Sequence, residues 1–488
     1  MKTSTKPRSI SVAFITLGCA KNEVDSEKMR AAVLAQGWLL TDQSEQADCL
    51  VINTCAFITE ATEEAITTIL EASEWPSVLN KTCRIIVAGC LPSRYPDQLA
   101  SELPEVAAWL PVAEESQLVQ TIVGLFGDAS TATVSDIHAK PSMSSDKEFQ
   151  ASSDLAFPLD QRILAHPDLV ICPDQKLLVS SGPVLSTTLR VPASRLPWAY
   201  LKIAEGCSRR CAFCTIPDIR GPFVSMPLAE ILVEADQLVE AGARELVLIA
   251  QDTGLWHEGQ LGLPDLLELL ANRFADVWLR VMYLQPSAVS DRLLEIMAAH
   301  PNICNYLDIP LQHAASQVLK QMNRSGSGKE FLSLIARIRQ TLDNVVLRTT
   351  LIAGFPGETR TEARELERFV EAAQFDYVGV FVYSAEAGTP AGERMDQVPL
   401  RTRRARAQRL RDLADTISLE RWQQRVGQTV EVLVCEQEDG QPVGRSQAQA
   451  PEVDGIIRLN RGQPGQRLTA IIEESWLYEF SARVLGEK

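Results

Sequence analysis

Short apolar runs rich in β-branched residues alternate with helix-patterned stretches along the first 126 residues. The apolar runs predict strands at 10–17, 49–53, 84–88 and 106–112. Between them, apolar side chains recur three and four residues apart, which predicts helices at 22–36 and 59–74. This alternation is typical of a parallel sheet with crossover helices. We therefore predict a Rossmann-like parallel α/β domain over residues 8–126.

The pattern dissolves between residues 127 and 197, where Ser, Thr, Ala, Pro and Asp dominate. This segment lacks the apolar density of a packed core, so it is predicted to be a linker or an insertion. Two short apolar stretches inside it, at 169–172 and 176–179, have the spacing of a β-hairpin.

Regular alternation resumes over residues 198–424. The strands predicted there lie at 199–204, 245–250, 277–283, 305–309, 345–353 and 377–383. The predicted helices lie at 227–241, 265–271, 290–299, 328–341, 361–373 and 401–425, and the last of these is basic. Six strand–helix units predict a partial (β/α)6 barrel of the TIM type, whose active site lies at the carboxyl ends of its strands.

From residue 425 to residue 488 the period changes to short alternating strands separated by Gly and Pro turns. This pattern predicts a small antiparallel, OB-like β-barrel of about five strands.

Composition and charge narrow the class of protein. The chain has 488 residues, of which 45% are hydrophobic, so it is neither disordered nor collagen-like. Its net charge of −16 disfavours a generic binder of phosphate backbones and suits a basic protein partner. Eleven cysteines without a secretory signal predict reduced thiols in a cytoplasmic enzyme. The apolar run at 10–17 is too short to span a membrane, so no membrane association is expected.

Three cysteines follow the first predicted barrel strand with the spacing CxxxCxxC, namely Cys207, Cys211 and Cys214. Three thiolates on one loop can hold a 4Fe–4S cluster and leave its fourth iron without a protein ligand. The alternative is a zinc knuckle, but no fourth Cys or His lies nearby at zinc spacing.

A second group of cysteines becomes visible once the strands are drawn. Cys19, Cys55 and Cys90 each lie just past the carboxyl end of a predicted strand, at intervals of 36 and 35 residues. The carboxyl ends of parallel strands line one crevice, so these thiols are predicted to converge on a second cluster. Cys49 and Cys83 begin strands, so they belong at the opposite edge as buried hydrophobes.

Several other residues carry weaker signals. Cys172, Cys304 and Cys435 stand alone and are interpreted as core or loop thiols, and His257 and His313 as hydrogen-bonded loop histidines. Lys202 and Arg280 lie in strands predicted near the barrel mouth. They either pair with a carboxylate of cofactor or substrate, or form ordinary structural ion pairs.

The cysteine loop and its barrel resemble the radical S-adenosylmethionine enzymes, in which the open iron binds the methionyl group of the cofactor. The whole chain resembles the methylthiotransferases, which add an amino-terminal cluster domain and a carboxyl-terminal TRAM barrel. The motifs most similar to the RimO-type enzymes are LGCAKNEVDSE (17–27), AYLKIAEGCSRRCAFCTIP (199–217), LIAQDTG (248–254), DIPLQHAA (308–315) and TTLIAGFPGET (349–359). The resemblance covers nearly all of the chain except about residues 130–195, where the chain is longer than the family pattern.

The resemblance implies further site residues. Phe213 packs by the adenine, or alternatively anchors its loop as a hydrophobic residue. Gln251 and Asp252 end the second barrel strand, where the family binds the amino acid part of the cofactor. Gly354 and Gly357 allow close approach of the backbone.

The resemblance also implies a reaction and its partners. The RimO-type enzymes modify an aspartate of small-subunit ribosomal protein twelve, free or in the ribosome. The β-carbon C–H bond of aspartate is unactivated, so the implied chemistry is a 5′-deoxyadenosyl radical from one S-adenosylmethionine, with a second supplying the methyl group. Such an enzyme needs two 4Fe–4S clusters facing each other, a low-potential electron donor and a sulfur source.

Two other functions compete with this one. An enzyme of the same plan could modify an adenosine in transfer RNA, but residues 426–488 carry six Lys and Arg against ten Asp and Glu, a poor surface for phosphates. A non-catalytic iron–sulfur protein that binds ribosomes is the second alternative. It would not need the cofactor motifs at 251–252 and 353–358.

Overall fold

The computed structural model describes residues 9–96, 98–126, 169–170, 178–179, 190–192 and 196–486. Its amino-terminal sheet is parallel throughout, with the strand order Leu39–Leu40, Ser11–Thr16, Cys49–Thr54, Arg84–Gly89 and Val106–Pro111. The hydrophobic pattern predicts the last four of these strands. The edge strand Leu39–Leu40 has only two residues, too few to show any period.

Helices cover both faces of this sheet and lie at Ala20–Ala35, Thr59–Ser73, Pro76–Leu79, Cys90–Arg94, Gln98–Glu102 and Leu118–Phe126. Successive residues of a strand point to opposite faces. Ile52 therefore packs with Ile69 of the second helix, and the neighbouring Val51 packs with Val33 of the first helix. The predicted Rossmann-like layering is confirmed.

The central barrel consists of two three-stranded parallel sheets. One contains Trp198–Lys202, Glu245–Ile249 and Trp278–Val281, and the other contains Tyr306–Asp308, Val346–Ala353 and Tyr377–Val382. A parallel bridge between Leu279 and Ile303 joins the sheets, so the six strands follow one another in chain order. The partial barrel predicted from the sequence is confirmed. Its helices lie at Ile216–Arg220, Leu228–Glu240, Leu263–Arg273, Asp291–Ala299, Ser316–Gln321, Gly328–Thr341, Arg360–Ala373 and Leu400–Gln423.

The segment predicted as a linker or insertion contains one described strand pair. Leu169–Val170 runs antiparallel to Leu178–Val179, as the hairpin spacing predicts. Cys172 lies outside the described residues.

The carboxyl-terminal strands form a closed five-stranded barrel, composed of Thr429–Glu438, Gln441–Arg445, Ile456–Leu459, Arg467–Ser475 and Glu479–Val484. The prediction of a wholly antiparallel barrel is wrong in one pairing, because Ile456–Leu459 pairs in parallel with Glu479–Val484. A closed ring with an odd number of strands cannot alternate direction throughout, so one parallel pair is required. No helix in the described part of the chain is long and apolar enough to span a membrane.

The carboxyl-terminal barrel packs against the amino ends of the central strands. Glu245, the first residue of the second central strand, accepts hydrogen bonds from Arg280 and from Arg445 of the carboxyl-terminal barrel, each at 2.7 Å. Arg280 also donates to the carbonyl oxygen of Gln447. Arg280 is therefore a structural ion-pair residue. It faces the carboxyl-terminal barrel and not the mouth of the central barrel, so its predicted position near the mouth is wrong.

Asp454 lies at the same interface and gives a pH-dependent prediction. Burial, opposed by Arg348, raises the pKa of Asp454 from 3.8 to about 6. The folded state thus holds this proton more tightly than the unfolded chain, so the contribution of Asp454 to stability is lost as the pH rises from about 4 to about 6. We expect the free energy of unfolding of the wild type, relative to Asp454→Asn, to fall by about 2 kcal/mol over that range. Urea titrations at several pH values measure this difference, and a constant difference would refute the assignment.

Candidate active site

The first cysteine group lies at the carboxyl edge of the amino-terminal sheet. Cys55 directly follows the strand Cys49–Thr54, Cys90 directly follows Arg84–Gly89, and Cys19 caps the first helix. Gly18 has φ +103°, and a Cβ at that position would lie 2.5 Å from the Cβ of Cys55. Only glycine allows this approach, which brings the Cys19 loop against Cys55.

The chemistry of these thiols fits a bound cation. Burial raises the pKa of Cys55, and it raises the pKa of Cys90 to about 12 against the opposing influence of Arg220. Cys90 interacts electrostatically with both Cys55 and Cys19. Thiolates are the form that binds iron, and the metal supplies the positive charge that buried thiolates need. The set therefore fits a cluster.

The second cysteine group lies on the loop after the first central strand. The N–H of Cys214 donates to the carbonyl oxygen of Cys211 at 3.1 Å, which closes the loop into a turn. Arg324 Nη1 donates to Cys211 Sγ at 3.8 Å. Burial raises the pKa of Cys207 and raises that of Cys214 to about 12. These thiols likewise need a cation before they ionise.

Neither group has the spacing of a zinc site. In the parts of the chain that the structure describes, no three His, Cys, Asp or Glu side chains are close enough to hold a single metal ion. A tetrahedral zinc holds its thiolates about 4 Å apart. The three thiolates of a 4Fe–4S cluster bind three different irons, so such a cluster does not need three ligands around a single metal ion.

The four described cysteines outside the two groups are buried. Cys49 begins its strand and Cys83 precedes the next strand, and both are almost fully inaccessible to solvent. Cys304 and Cys435 are also buried. All four therefore behave as the small hydrophobic residues that the sequence predicts.

The loops that carry the two cysteine groups contact each other. The hydroxyl of Thr215, next to Cys214, donates to the carbonyl oxygen of Phe57 at 3.3 Å, two residues after Cys55. A cavity of about 200 Å³ opens beside this contact, lined by Phe57 and Ile58 on one side and Phe213 on the other. Space for a small group thus exists where the two cysteine loops meet.

Glu386, on the loop that follows the last central strand, fixes the same junction. It accepts hydrogen bonds from the N–H of Thr59 at 2.8 Å and from Arg94 at 2.8 Å, both in the amino-terminal domain. Burial opposes ionisation, but hydrogen bonds from Ser384, Arg94 and Thr59 outweigh it and lower the pKa of Glu386. The carboxylate is a fixed charge that ties the two domains together above the cavity.

A buried ionic network forms the opposite side of the junction. Asp25 of the first helix pairs with Lys202 and, at 3.1 Å, with Arg220. Glu205 pairs with the same two cations at 2.8 and 3.1 Å and accepts a hydrogen bond from Gln251. Of the two alternatives for Lys202, the structure shows the second, because the residue forms structural ion pairs. In the sequence, Asp25, Lys202 with Glu205, and Arg220 stand in separate segments, with no sign that they meet.

The end of the second central strand offers buried acceptors without partners. Gln251 Oε1, Asp252 Oδ1 and Thr253 Oγ1 are buried and accept no hydrogen bond from any described residue. Burial raises the pKa of Asp252, and Arg209, bound to its other oxygen, opposes this. The amino group and ribose hydroxyls of S-adenosylmethionine are donors. These residues therefore fit the cofactor that the resemblance implies.

The glycines of the AGFPGE motif have positive φ angles of +82° and +79°. A Cβ on Gly354 would lie 2.5 Å from Arg403, and one on Gly357 would lie 2.7 Å from Asp396. Their backbones are thus approached closely by this chain's own side chains, and a contact with the cofactor stays a prediction.

The two candidate histidines differ in their environment. His313 is fully buried, and its Nε2 lies 3.6 Å from Glu358, which Arg406 also contacts at 2.8 Å. His257 is exposed and its Nδ1 lies 3.0 Å from the carbonyl oxygen of Leu255. Both are loop histidines with local hydrogen-bonding partners, as predicted.

Three parts of the chain match known families. Residues 11–111 match the Uncharacterized protein family UPF0004, residues 201–370 the Radical SAM superfamily, and residues 426–485 the TRAM domain. A radical SAM domain implies that the protein uses S-adenosylmethionine and a 4Fe–4S cluster.

Full-length relatives share the same organisation. The ribosomal protein uS12 methylthiotransferase RimO of Pelotomaculum thermopropionicum is 37% identical over 98% of this chain and 99% of that protein. The corresponding proteins of Trichlorobacter lovleyi and Caldicellulosiruptor saccharolyticus are 36% and 38% identical, and the matches cover 98% of this chain in both cases and 98% and 100% of those proteins.

Among solved structures, the radical S-adenosylmethionine methyltransferase TsrM from Kitasatospora setae, with cobalamin and a [4Fe-4S] cluster bound, has a similar fold. Its TM-score is 0.52 at 14% identity, covering 79% of this chain and 74% of that chain. At this identity the likeness concerns the fold alone. Identity to the RimO proteins along almost the whole length, together with the matched domains, shows that this chain is a member of the RimO family of radical SAM methylthiotransferases.

Proposed function

We propose that this enzyme adds a methylthio group to the β-carbon of an aspartate in ribosomal protein uS12, free or in the ribosome. The observation that carries the proposal is the contact between the two cysteine loops beside a shared cavity. A substrate side chain in that space would meet the chemistry of both groups. The names of the full-length relatives support the choice of uS12.

The residues divide into two sets of ligands. Cys207, Cys211 and Cys214 hold the 4Fe–4S cluster that binds S-adenosylmethionine, and Cys19, Cys55 and Cys90 hold a second 4Fe–4S cluster that carries sulfur. When bound at the reduced first cluster, S-adenosylmethionine supplies a radical that removes hydrogen from carbon. Gln251 and Asp252 orient the cofactor through their free acceptors, and Phe213 presents an apolar face to the adenine beside the cavity. Gly354 and Gly357 lie at the end of the fifth strand as further cofactor contacts.

The reaction requires partners besides uS12. A low-potential electron donor must reduce the first cluster, and a sulfur source must replenish the second. The domains that carry these functions are 8–126 with the sulfur-carrying cluster, 198–424 with the radical core, and 425–488 as the TRAM barrel, with 127–197 as the insertion.

Modification of an adenosine in transfer RNA is the nearest alternative. The excess of acidic residues in the TRAM barrel speaks against it, because phosphates need a basic surface. A non-catalytic iron–sulfur protein is the second alternative. The buried acceptors without partners at 251–253 favour a bound cofactor. They therefore favour an enzyme over a non-catalytic protein.

The proposal is tested by giving the anaerobically reconstituted, reduced enzyme purified uS12 and purified transfer RNA in separate reactions. We expect 5′-deoxyadenosine in the uS12 reaction and mass spectrometry to find methylthio-aspartate, with unchanged transfer RNA. Modified transfer RNA together with unmodified uS12 would refute the proposal and support the first alternative. No cleavage of S-adenosylmethionine in either reaction would favour the second.

Asp252 provides a separate prediction for cofactor binding. Asp252→Asn removes a buried acceptor charge and is expected to weaken binding of S-adenosylmethionine by about tenfold to a hundredfold, since hydrogen bonds to charged groups contribute about 1.5–3 kcal/mol. Equilibrium dialysis under anaerobic conditions measures the dissociation constant. Asp236→Asn, in an exposed ion pair with Arg273, is the control. Equal affinities of all three proteins would remove Asp252 from the cofactor site.

A further inference from the structure

Lys21 is a buried cation at the junction of the amino-terminal domain and the central barrel. It lies two residues after Cys19, and it is only 7% exposed. Its Nζ lies 3.3 Å from the centroid of the Tyr283 ring. It makes no hydrogen bond or ion pair with any residue that the structure describes. A buried ammonium without an anionic partner is costly, so such groups are commonly kept for a ligand.

The ring beneath Lys21 is held in a strained position. Tyr283 lies just past the carboxyl end of the third central strand, and its φ is +62°, in the left-handed region that large side chains avoid. Its N–H donates to Asp308 Oδ2 at 3.0 Å. Strain of this kind persists where the surrounding contacts over-determine the backbone, and it clusters at binding sites. The mouth of the barrel therefore presents a fixed aromatic platform with an ammonium above it.

Of the groups that attract Lys21 electrostatically, Cys19 contributes most, and the two carboxylates, Asp308 and Glu205, already have other partners. Asp308 is bound by Arg348 at 3.0 Å, and Glu205 is bound by Lys202 and Arg220. Arg220, a cation near Lys21, forms ion pairs with Asp25 and Glu205. Lys21 therefore forms no ion pair with a carboxylate among the residues that the structure describes. The ligand that completes it is an anion.

We propose that Lys21 binds the side-chain carboxylate of the substrate aspartate and is a specificity-determining residue for this reaction. The inference rests on the proposed function. The carboxyl carbon of aspartate is bonded directly to the β-carbon, so an ammonium that holds the carboxylate also positions the carbon that reacts. Lys21 is two residues from Cys19, which places that carbon near the sulfur-carrying group. The adenine base of a transfer RNA carries no carboxylate, so only the protein substrate offers this group next to its reacting carbon.

A double-mutant cycle tests the pairing between Lys21 and the carboxylate. The proteins are the wild-type holoenzyme and Lys21→Met, which keeps the chain length without the charge. The ligands are uS12 with the target aspartate and uS12 with asparagine in its place. Binding is measured anaerobically by fluorescence anisotropy with S-adenosylmethionine present and no reductant, so that no turnover occurs. Lys21→Arg tests rescue by a second cation. Lys28→Met, on the same helix but partly exposed and paired with Glu234, is the control.

We expect Lys21→Met to weaken binding of the aspartate form by about tenfold to a hundredfold and to leave binding of the asparagine form unchanged. We expect Lys21→Arg to recover part of the loss, and Lys28→Met to match the wild type. Iron content should be equal in all four proteins, which separates a lost contact from a lost cluster.

Three outcomes overturn the inference in distinguishable ways. If Lys21→Met weakens both forms of uS12 equally, the residue is structural and does not recognise the carboxylate. If it weakens neither form while the wild type modifies uS12, Lys21 has no role in binding and the proposed function stands. If the wild type neither binds nor modifies uS12, the proposed function and this inference both fail.

Discussion

Replacing Cys19, Cys55 and Cys90 together by alanine is expected to halve the iron content of the anaerobically reconstituted enzyme, from about eight to about four irons per chain. The same loss is expected for the Cys207, Cys211 and Cys214 triple variant, because each group holds its own four-iron cluster. The two variants should differ in chemistry. Only the first should still cleave S-adenosylmethionine to 5′-deoxyadenosine, and neither should form methylthiolated product. Iron and sulfide analysis with EPR of the reduced proteins measures both losses.

Cys49→Ala and Cys83→Ala are matched controls. Both thiols are buried in the same sheet, but they lie at the amino ends of their strands, away from the crevice. Their iron content should equal that of the wild type. Loss of all iron in either triple variant would mean that the two groups share one cluster, which would contradict the arrangement of facing clusters.

Arg220→Met is expected to lower the free energy of unfolding by about 3–5 kcal/mol, the usual cost of removing one partner from a buried ion pair. Arg220 is buried, and it binds Asp25 across the domain junction and Glu205 within the central domain. It also donates to Asn22 of the amino-terminal domain at 2.8 Å. Burial opposes its charge, but Asp25 and Glu205 raise its pKa well above the usual range. Without it, the buried Asp25 and the partly exposed Glu205 depend on Lys202 alone. Urea titration measures the change.

Arg292→Met is the control for Arg220→Met. Arg292 pairs with Asp265 at 2.7 Å, but its side chain is 54% exposed, so its loss should cost at most about 1 kcal/mol. Arg220→Lys should recover part of the stability, because it keeps the charge without the planar fork. If Arg220→Met and Arg292→Met proved equally mild, the ionic network would not hold the domains together.

The strand ends were the most informative feature of the sequence. A hydrophobic period of two, or a short run of β-branched residues, predicts the end of a strand to within a residue or two. Cys55 and Cys90 follow their strands directly. Because all parallel strands end at one edge, the local pattern was enough to place cysteines far apart in the chain at the same edge of the sheet. The parallel pair in the carboxyl-terminal barrel was missed, because the period of a strand does not show the direction of its neighbour.

The polar groups at the domain junction were beyond prediction for a different reason. Asp25 and Arg220 are 195 residues apart, and Thr59 and Glu386 are 327 residues apart. Contacts between domains leave no period in either segment, so each residue resembles an ordinary solvated charge. Lys21 resembles a polar residue in the first turn of a helix. Its burial and its position over Tyr283 appear only when the barrel mouth is placed against that helix.

The fate of the hydrogen on the target β-carbon tests most directly the claim that an aspartate side chain lies between the two cysteine groups. The measurement uses uS12 whose target aspartate carries deuterium at that carbon, with reduced holoenzyme and S-adenosylmethionine. The account predicts deuterium in the 5′-deoxyadenosine and a methylthio group on the same aspartate. Unlabelled 5′-deoxyadenosine together with unmodified uS12 would contradict it.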